Sequence, residues 1–278
     1  MKLVSFTLIT GLLVANAAAA ETLLERGAYL VQGPMACGNC HTPKGPGGPI
    51  ADMEMGGGFV ITTPRFEVHV PNISPGSRVA EWSDAELARA IREGIRPDGT
   101  VIRPPMAIEL YRHISDADLA AVVAYLRSLP AITQTIPEST YHIPVPASYG
   151  PPVGSVPDTP HEVSVQYGGY LVTVAHCMEC HTPIGPNGHL YETDLGRGGR
   201  EFSGPWGASV SSNLTNGVDG LADYSDDEII DMITIGKRPD GSAMQPPMPY
   251  AFLARSTPED LAAIVMYLRT VPPLPDVN

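Results

Sequence analysis

Every cysteine of this 278-residue chain lies in one of two pentapeptides, Cys37-Gly-Asn-Cys40-His41 and Cys177-Met-Glu-Cys180-His181. C-x-x-C-H is the spacing that attaches a c-type haem. In that chemistry the two thiols add across the vinyl groups of the porphyrin. The next histidine sits under the iron as its proximal ligand. The cofactor prediction is therefore two covalently attached c-type haems, held by Cys37, Cys40, Cys177 and Cys180, with His41 and His181 on iron. A chain built around two such discs is expected to use short helices and long loops.

Two other uses of these cysteines compete. A redox dithiol of the thioredoxin kind wants a βαβ setting. Here each motif runs into Thr-Pro and then a Gly/Pro-rich stretch, Lys44 to Pro49 or Gly185 to Gly188. Structural zinc needs four tetrahedral ligands. A contiguous C-x-x-C-H cannot readily give three of them to one ion.

The first twenty residues read as a secretory leader. Lys2 is a minimal basic start, Leu3 to Val14 a short apolar core, and Ala18-Ala-Ala20 a cleavage site before Glu21. The apolar run is short for a bilayer span of about 20 residues. Export fits haem attachment outside the bacterial cytoplasm, so a periplasmic location is expected. A net charge of −13 argues against nucleic acid as a partner.

The two halves align along their length at an offset drifting from 140 to 142. Gly27-Ala-Tyr29-Leu-Val matches Gly168-Gly-Tyr170-Leu-Val. Asn72-Ile-Ser matches Asn213-Leu-Thr, and Trp82-Ser-Asp matches Tyr224-Ser-Asp. Arg96-Pro-Asp-Gly99 matches Arg238-Pro-Asp-Gly241, and Asp118 to Arg127 matches Asp260 to Arg269. The reading is an internal duplication: a leader at 1–20, domains at 21–135 and 161–278, and a linker at 136–160. Seven prolines between Ile136 and Pro160 make that linker an extended, semi-rigid connector. Tyr141, Ile143 and Val145 are the residues that could pin it to a domain.

Each half shows three helical signals and no strong strand signal, so the expected fold class is all-α. The first helix covers about Leu23 to Val31, with Val163 to Val174 as its twin. The second starts at the capping boxes Ser83-x-x-Glu86 and Ser225-x-x-Glu228 and ends before Gly94 or Gly236. The third starts at Ser115 or Thr257 and stops before Pro130 or Pro272. Leu119, Val122, Val123 and Leu126 share one face of it.

A c-type iron also needs a ligand above the disc. A methionine there gives a closed electron-transfer haem with a raised potential. Met106 and Met248 occupy matching positions, each after Pro-Pro, between the second and third helices. Met244 competes with Met248 but aligns with Ile102. The other methionines read as packing residues. His69, His113, His142, His161, His176 and His189 lack a twin and read as loop or surface residues.

Duplicated C-x-x-C-H, the downstream Met106 and Met248, and the terminal helix pair together resemble a class I c-type cytochrome. In that family the first helix crosses the last, here Gly27 on Tyr125 and Gly168 on Tyr267. The Gly-rich stretch, the Asn turns, the Arg-Pro-Asp-Gly turns and the Pro-Pro-Met loops are similar to cytochrome subunits of bacterial periplasmic dehydrogenases for alcohol, aldehyde or gluconate. Many of those carry three haems, whereas this chain has two motifs. The resemblance implies tandem cytochrome c domains that relay single electrons without catalysing a reaction. It implies a periplasmic dehydrogenase as donor and an oxidase, small cytochrome or cupredoxin as acceptor. Any membrane association would run through a partner. The alternative is a dihaem peroxidase with one exchangeable distal site, which the matched methionines disfavour. The family also suggests propionate contacts for Asn72, Asn213, Trp82, Trp206, Arg96 and Arg238, although the Asn and Arg residues could equally serve their turns. Pro43 and Pro183 could orient the proximal histidines through a nearby carbonyl.

Overall fold

The computed structural model describes residues 21–144, 146–186 and 188–277. The expected leader at 1–20 and the linker residue Val145 lie outside the described residues.

The same run of elements occurs twice. In the first half α1 (Leu23–Gln32) leads into α2 (Cys37–His41). Hairpins β1 (Lys44–Gly45) with β2 (Gly48–Pro49) and β3 (Val60–Thr63) with β4 (Phe66–His69) follow. Then come α3 (Asp84–Glu93), α4 (Ile108–Tyr111) and α5 (Asp116–Ser128). A short strand, β5 (Thr140–Tyr141), belongs to the linker. The second half repeats the order with α6 (Val165–Val174), α7 (Cys177–His181), β6 (Ile184–Gly185), β7 (Gly188–His189), β8 (Glu201–Gly204), β9 (Gly207–Val210), α8 (Asp226–Thr234), α9 (Tyr250–Leu253) and α10 (Pro258–Leu268).

The all-α expectation is corrected. Helix accounts for only about 33% of the chain, and about 12% is strand in several small antiparallel sheets, which makes the fold mixed α/β. The strands come from stretches that the sequence presents as Gly/Pro-rich loop. Val60-Ile-Thr-Thr63 and Phe66-Glu-Val68 carry the β-branched and aromatic residues that favour a pleated surface. Pro64 and Pro205 sit in the tight turns between paired strands, where a fixed φ suits the reversal.

The helices start and stop for local reasons. Ser83 and Ser225 each accept from the backbone N–H three residues on, and Glu86 and Glu228 reach back to the cap backbone, completing both boxes. Ser115 and Thr257 cap α5 and α10 in the same way.

In each half the first helix crosses the last at a glycine. A Cβ on Gly27 would overlap the Ala121 carbonyl, and one on Gly168 the Ala263 carbonyl, with Tyr267 Cβ at 3.0 Å. Both helices bury apolar faces there, Leu30 and Val31 against Val122 and Leu126, and Leu171 and Val172 against Ile264 and Leu268. The approach is backbone to backbone, so the added methyl cannot be absorbed by a rotamer change. Gly168→Ala should destabilise the protein by about 1–3 kcal/mol or more, the usual range for overpacking. A denaturant titration of the haem-loaded protein that showed no loss would contradict this crossing.

The halves join through a reciprocal pair of contacts. Tyr29 of α1 donates to Asp260 of α10, and Tyr170 of α6 donates to Asp118 of α5 at 2.6 Å. The expected positional twins, Tyr29 with Tyr170 and Asp118 with Asp260, thus exchange partners across the junction. Arg26 adds a two-pronged bond to Asp118, at 2.7 and 2.9 Å.

The linker is held down along its length. Thr140 and Tyr141 pair with Glu67 and Phe66, and the Arg103 guanidinium lies 5.0 Å from the Tyr141 ring centroid. Among the described residues no helix is long and apolar enough to cross a membrane.

Candidate haem sites

Each C-x-x-C-H motif is one short helical turn entered through a left-handed residue. Ala36 (φ 47°) precedes α2 and His176 (φ 46°) precedes α7. Neither is glycine, so the chain holds an uncommon conformation at both points. The reversal turns the motif away from the axis of α1 or α6. Within the turn, cysteines three apart fall on one face, so Cys37 and Cys40 point together, as do Cys177 and Cys180.

The four thiols are free, with none joined in a disulfide. Burial pushes Cys37, Cys177 and Cys180 up to about 12. It also raises Cys40, against the pull of Lys44 and with help from Glu179. These are neutral thiols in apolar surroundings. Among the described residues no group of three or more His, Cys, Asp and Glu side chains could hold a metal ion. The residues present fit a thioether-linked porphyrin and not a zinc site.

His41 and His181 are nearly fully buried, at 8% and 7% exposure. Burial pulls both imidazoles below the ordinary histidine value. His41 Nδ1 lies 2.9 Å from the Pro71 carbonyl, and His181 Nδ1 lies 2.7 Å from the Ser212 carbonyl. A carbonyl can only accept, so Nδ1 carries the proton in each ring. Nε2 keeps its lone pair, as a metal-bound imidazole requires. The orienting carbonyls thus belong to Pro71 and Ser212. Pro43 and Pro183 instead accept from Ile50 and Leu190 within their own hairpins. Pro71 and Ser212 contribute only backbone, so no side-chain pattern marks them; their one signal is that each precedes a matched asparagine.

Met106 and Met248 sit in matching loops. Bridges Ile95–Val101 and Lys237–Ala243 close the base of each. Ile102 N donates to Gly94 O, and Met244 N to Gly236 O, both at 2.7 Å. Met244 therefore stands where Ile102 stands. Met248 occupies the place of Met106, each followed directly by a short helix, α9 or α4. Met106 and Cys37 pack against the same apolar cluster. In the second half Cys177 and Met244 do so, and Met248 is half-buried in its loop.

Four of the residues for which the resemblance suggests propionate contacts also make bonds within the protein. Asn72 donates to Ile132 O at 2.6 Å and accepts from Ser74 N, tying a turn to the segment after α5. Asn213 does the same with Leu274 and Thr215. Arg96 bonds Thr100 and the Val101 carbonyl within its own turn. Trp206 donates to Ser209 inside its hairpin. Met35, Met55, Met178 and Met232 are buried as expected, whereas Met266 is 40% exposed.

One feature escaped the sequence reading. The Tyr111 ring, in the helix after Met106, meets His176, the residue before Cys177, edge to face at 6.0 Å. Glu179 lies within the second motif, and burial raises its carboxyl despite His176, His189 and Arg200. Glu179 pushes up both Cys40 and Cys180. In the same way Phe252, after Met248, sits over Gly38 of the first motif. The short helix after each Pro-Pro-Met loop thus reaches the other half's C-x-x-C-H turn, a long-range pairing with no local signal.

The family model described as Cytochrome c matches residues 24–130. The cytochrome subunit of fructose dehydrogenase from Gluconobacter japonicus is 29% identical over 92% of this chain and 54% of its own length. The cytochrome c subunit of a quinone alcohol dehydrogenase from Gluconacetobacter polyoxogenes is 30% identical over 98% of this chain and 61% of its own. A diheme cytochrome c-type protein from Cereibacter sphaeroides is 28% identical over 85% of this chain and 82% of its own. The chain thus spans little more than half the length of the two dehydrogenase subunits. These matches give no support to the peroxidase alternative. Residues 24–130 thus match the cytochrome c family model, and the chain along most of its length is similar to cytochrome c subunits of dehydrogenases and to a diheme cytochrome c.

Proposed function

We propose that the chain is a periplasmic dihaem cytochrome c that relays single electrons from a partner dehydrogenase toward an oxidase or a small carrier protein. The observation that carries this reading is the doubled attachment turn, each with a buried histidine locked by a backbone carbonyl. In this reading residues 1–20 are a cleaved leader, 21–135 and 161–278 are duplicated haem domains, and 136–160 links them. The dehydrogenase relatives support a dehydrogenase as donor, and the acceptor follows from the need to pass the electron on.

When bound, each haem supplies one-electron iron chemistry. Cys37 with Cys40, and Cys177 with Cys180, would hold the two groups. His41 and His181, with Met106 and Met248, would ligate the irons. Pro71 and Ser212 keep the imidazoles from rotating. A fixed ligand set changes little between redox states, which suits transfer over catalysis. Tyr111, His176 and Glu179 fill the junction where the two attachment turns approach.

Met106→Ala and Met248→Ala are each expected to convert one haem from low-spin to high-spin in the oxidised protein. Each should also lower that haem's potential and abolish its sulfur-to-iron charge-transfer absorption. Met244→Leu should leave all three unchanged. Visible and magnetic circular dichroism spectra with a redox titration read all of this. A normal spectrum in Met248→Ala with a perturbed one in Met244→Leu would reverse the ligand assignment.

A further inference from the structure

The duplication is an internal control on what surrounds each iron. In the relay reading the two sites share an attachment turn, a carbonyl-held histidine and a matched Pro-Pro-Met loop. Axial ligands therefore do not separate them, but the nearby charges do. A cavity of about 300 Å³ marks the second site, beside Met244 and beside Ser212, whose carbonyl holds His181. Leu221 and Tyr224 line it and share an apolar cluster with Cys177. Their twins Val79 and Trp82 pack with Cys37 and Met106. The same positions thus border the first haem site.

The charged residues lining the second cavity are Arg238, Asp219 and Asp276, one cation against two carboxylates. The first half has Arg96, Ser77 and Gln134 at those positions, and Arg78 in place of the lining Gly220, so two cations meet no carboxylate. The lining Val210 is matched by His69, which lies 3.3 Å from Glu67, and Glu201 faces Val210 in the second hairpin. Farther out, Arg103 stands opposite Gln245, and Lys237 opposite Ile95, which adds one cation to each side. Asp98 and Asp240 occur in both turns. Arg197 is taken up by Asp194 at 2.8 Å. Lys44 acts on Cys40 as Arg200 does on Cys180, and Glu179 bears on both thiols. The first site keeps the more positive surroundings throughout.

The first-half cations crowd one another. Arg96 donates to Thr100 at 3.1 Å and to the Val101 carbonyl at 2.9 Å, and Arg103 lies 5.0 Å from the Tyr141 ring centroid. Burial, and then the charge on Arg78, pull the Arg96 guanidinium below its ordinary value against the opposing effect of Asp98, and Arg103 adds to the pull. Among the described residues none of the three pairs with a carboxylate. Reduction adds one electron to a site, so nearby cations favour the reduced iron and nearby carboxylates oppose it. Arg78 and Arg103 are exposed, so dissolved salt weakens their effect.

We infer that Arg78, Arg96 and Arg103 give the first haem the higher reduction potential, and that electrons therefore run from the second haem to the first. One electron leaves the second iron as the first gains it. The partner dehydrogenase resupplies the second iron, and the oxidised carrier or oxidase takes the electron from the first. The inference rests on the dihaem relay reading and adds its direction.

The test is a spectroscopic redox titration of the haem-loaded full chain, which reads two midpoints. Cys177→Ala with Cys180→Ala, which keeps only the first haem, should retain the higher midpoint. Arg78→Gly with Arg103→Gln installs the residues of the second half. It should lower the higher midpoint by about tenfold in the electron equilibrium, about 59 mV for a one-electron couple, and leave the lower midpoint in place. Arg78→Lys with Arg103→Lys keeps the charge and should leave both in place. Asp219→Asn with Gln245→Arg should raise the lower midpoint. The two midpoints should draw together as salt rises. Retention of the lower midpoint by the single-haem variant would overturn the inference. So would a charge swap that moves neither midpoint or the wrong one, or a lysine variant that shifts as far as the neutral one. Haem content is measured on the same samples. Two haems per chain with the opposite order refutes this inference alone, whereas a haem content other than two in the parent refutes the relay reading beneath it.

Discussion

Asp118→Ala is expected to destabilise the haem-loaded protein by about 3–5 kcal/mol, the usual loss when one member of a buried ion pair is removed. Asp118 is 3% exposed and receives two bonds from Arg26 and one from Tyr170. Removing the carboxylate strands the Arg26 guanidinium in the junction between the halves. The effect carries a pH signature. Burial alone would push the Asp118 carboxyl up, but Arg26 and Tyr170 together hold it below the ordinary value. A depressed carboxylate stabilises the fold fully above the unfolded value of about 4. That contribution is lost as pH falls through the lower folded value. The stability gap between the parent and Asp118→Ala should therefore be constant near neutrality and shrink in strong acid. Guanidinium unfolding at several pH values reads it. A gap that widened on acidification would mean Asp118 is not held ionised.

Replacing one cysteine pair should remove one haem and leave the other. Cys177→Ala with Cys180→Ala is expected to reduce the covalent haem per chain by half. The first site should keep its spectrum, because His41, Pro71 and Met106 all belong to the first half. Loss of the second haem would reach the first motif through the Phe252 ring over Gly38 and through Glu179 beside Cys40. Whole-protein mass and haem absorbance measure the outcome. Retention of both haems would show that attachment does not run through these thiols.

The attachment turns, capping boxes and Pro-Pro-Met loops were legible because each is local. A motif, a cap or a proline pair declares itself within a few residues. The glycine crossings at Gly27 and Gly168 are legible only through the family resemblance. The hairpins were missed because Gly and Pro masked the β-branched runs at Val60–Thr63 and Phe66–Val68. Asn72 and Asn213 stood out as matched residues, yet their amides serve distant carbonyls at Ile132 and Leu274, which no spacing announces. Pro71 and Ser212 act through backbone alone and leave no side-chain trace. The exchange of Tyr29 and Tyr170 across the junction also lay beyond reading. The repeat marks those residues as equivalent but does not say that each bonds the other half.

The most direct test of the central claim is haem stoichiometry by pyridine haemochrome on the purified chain, with a spectroscopic redox titration of the same sample. The account predicts two c-type haems per chain, both low-spin, each taking up one electron. A single haem, or bound zinc in place of haem, would contradict it.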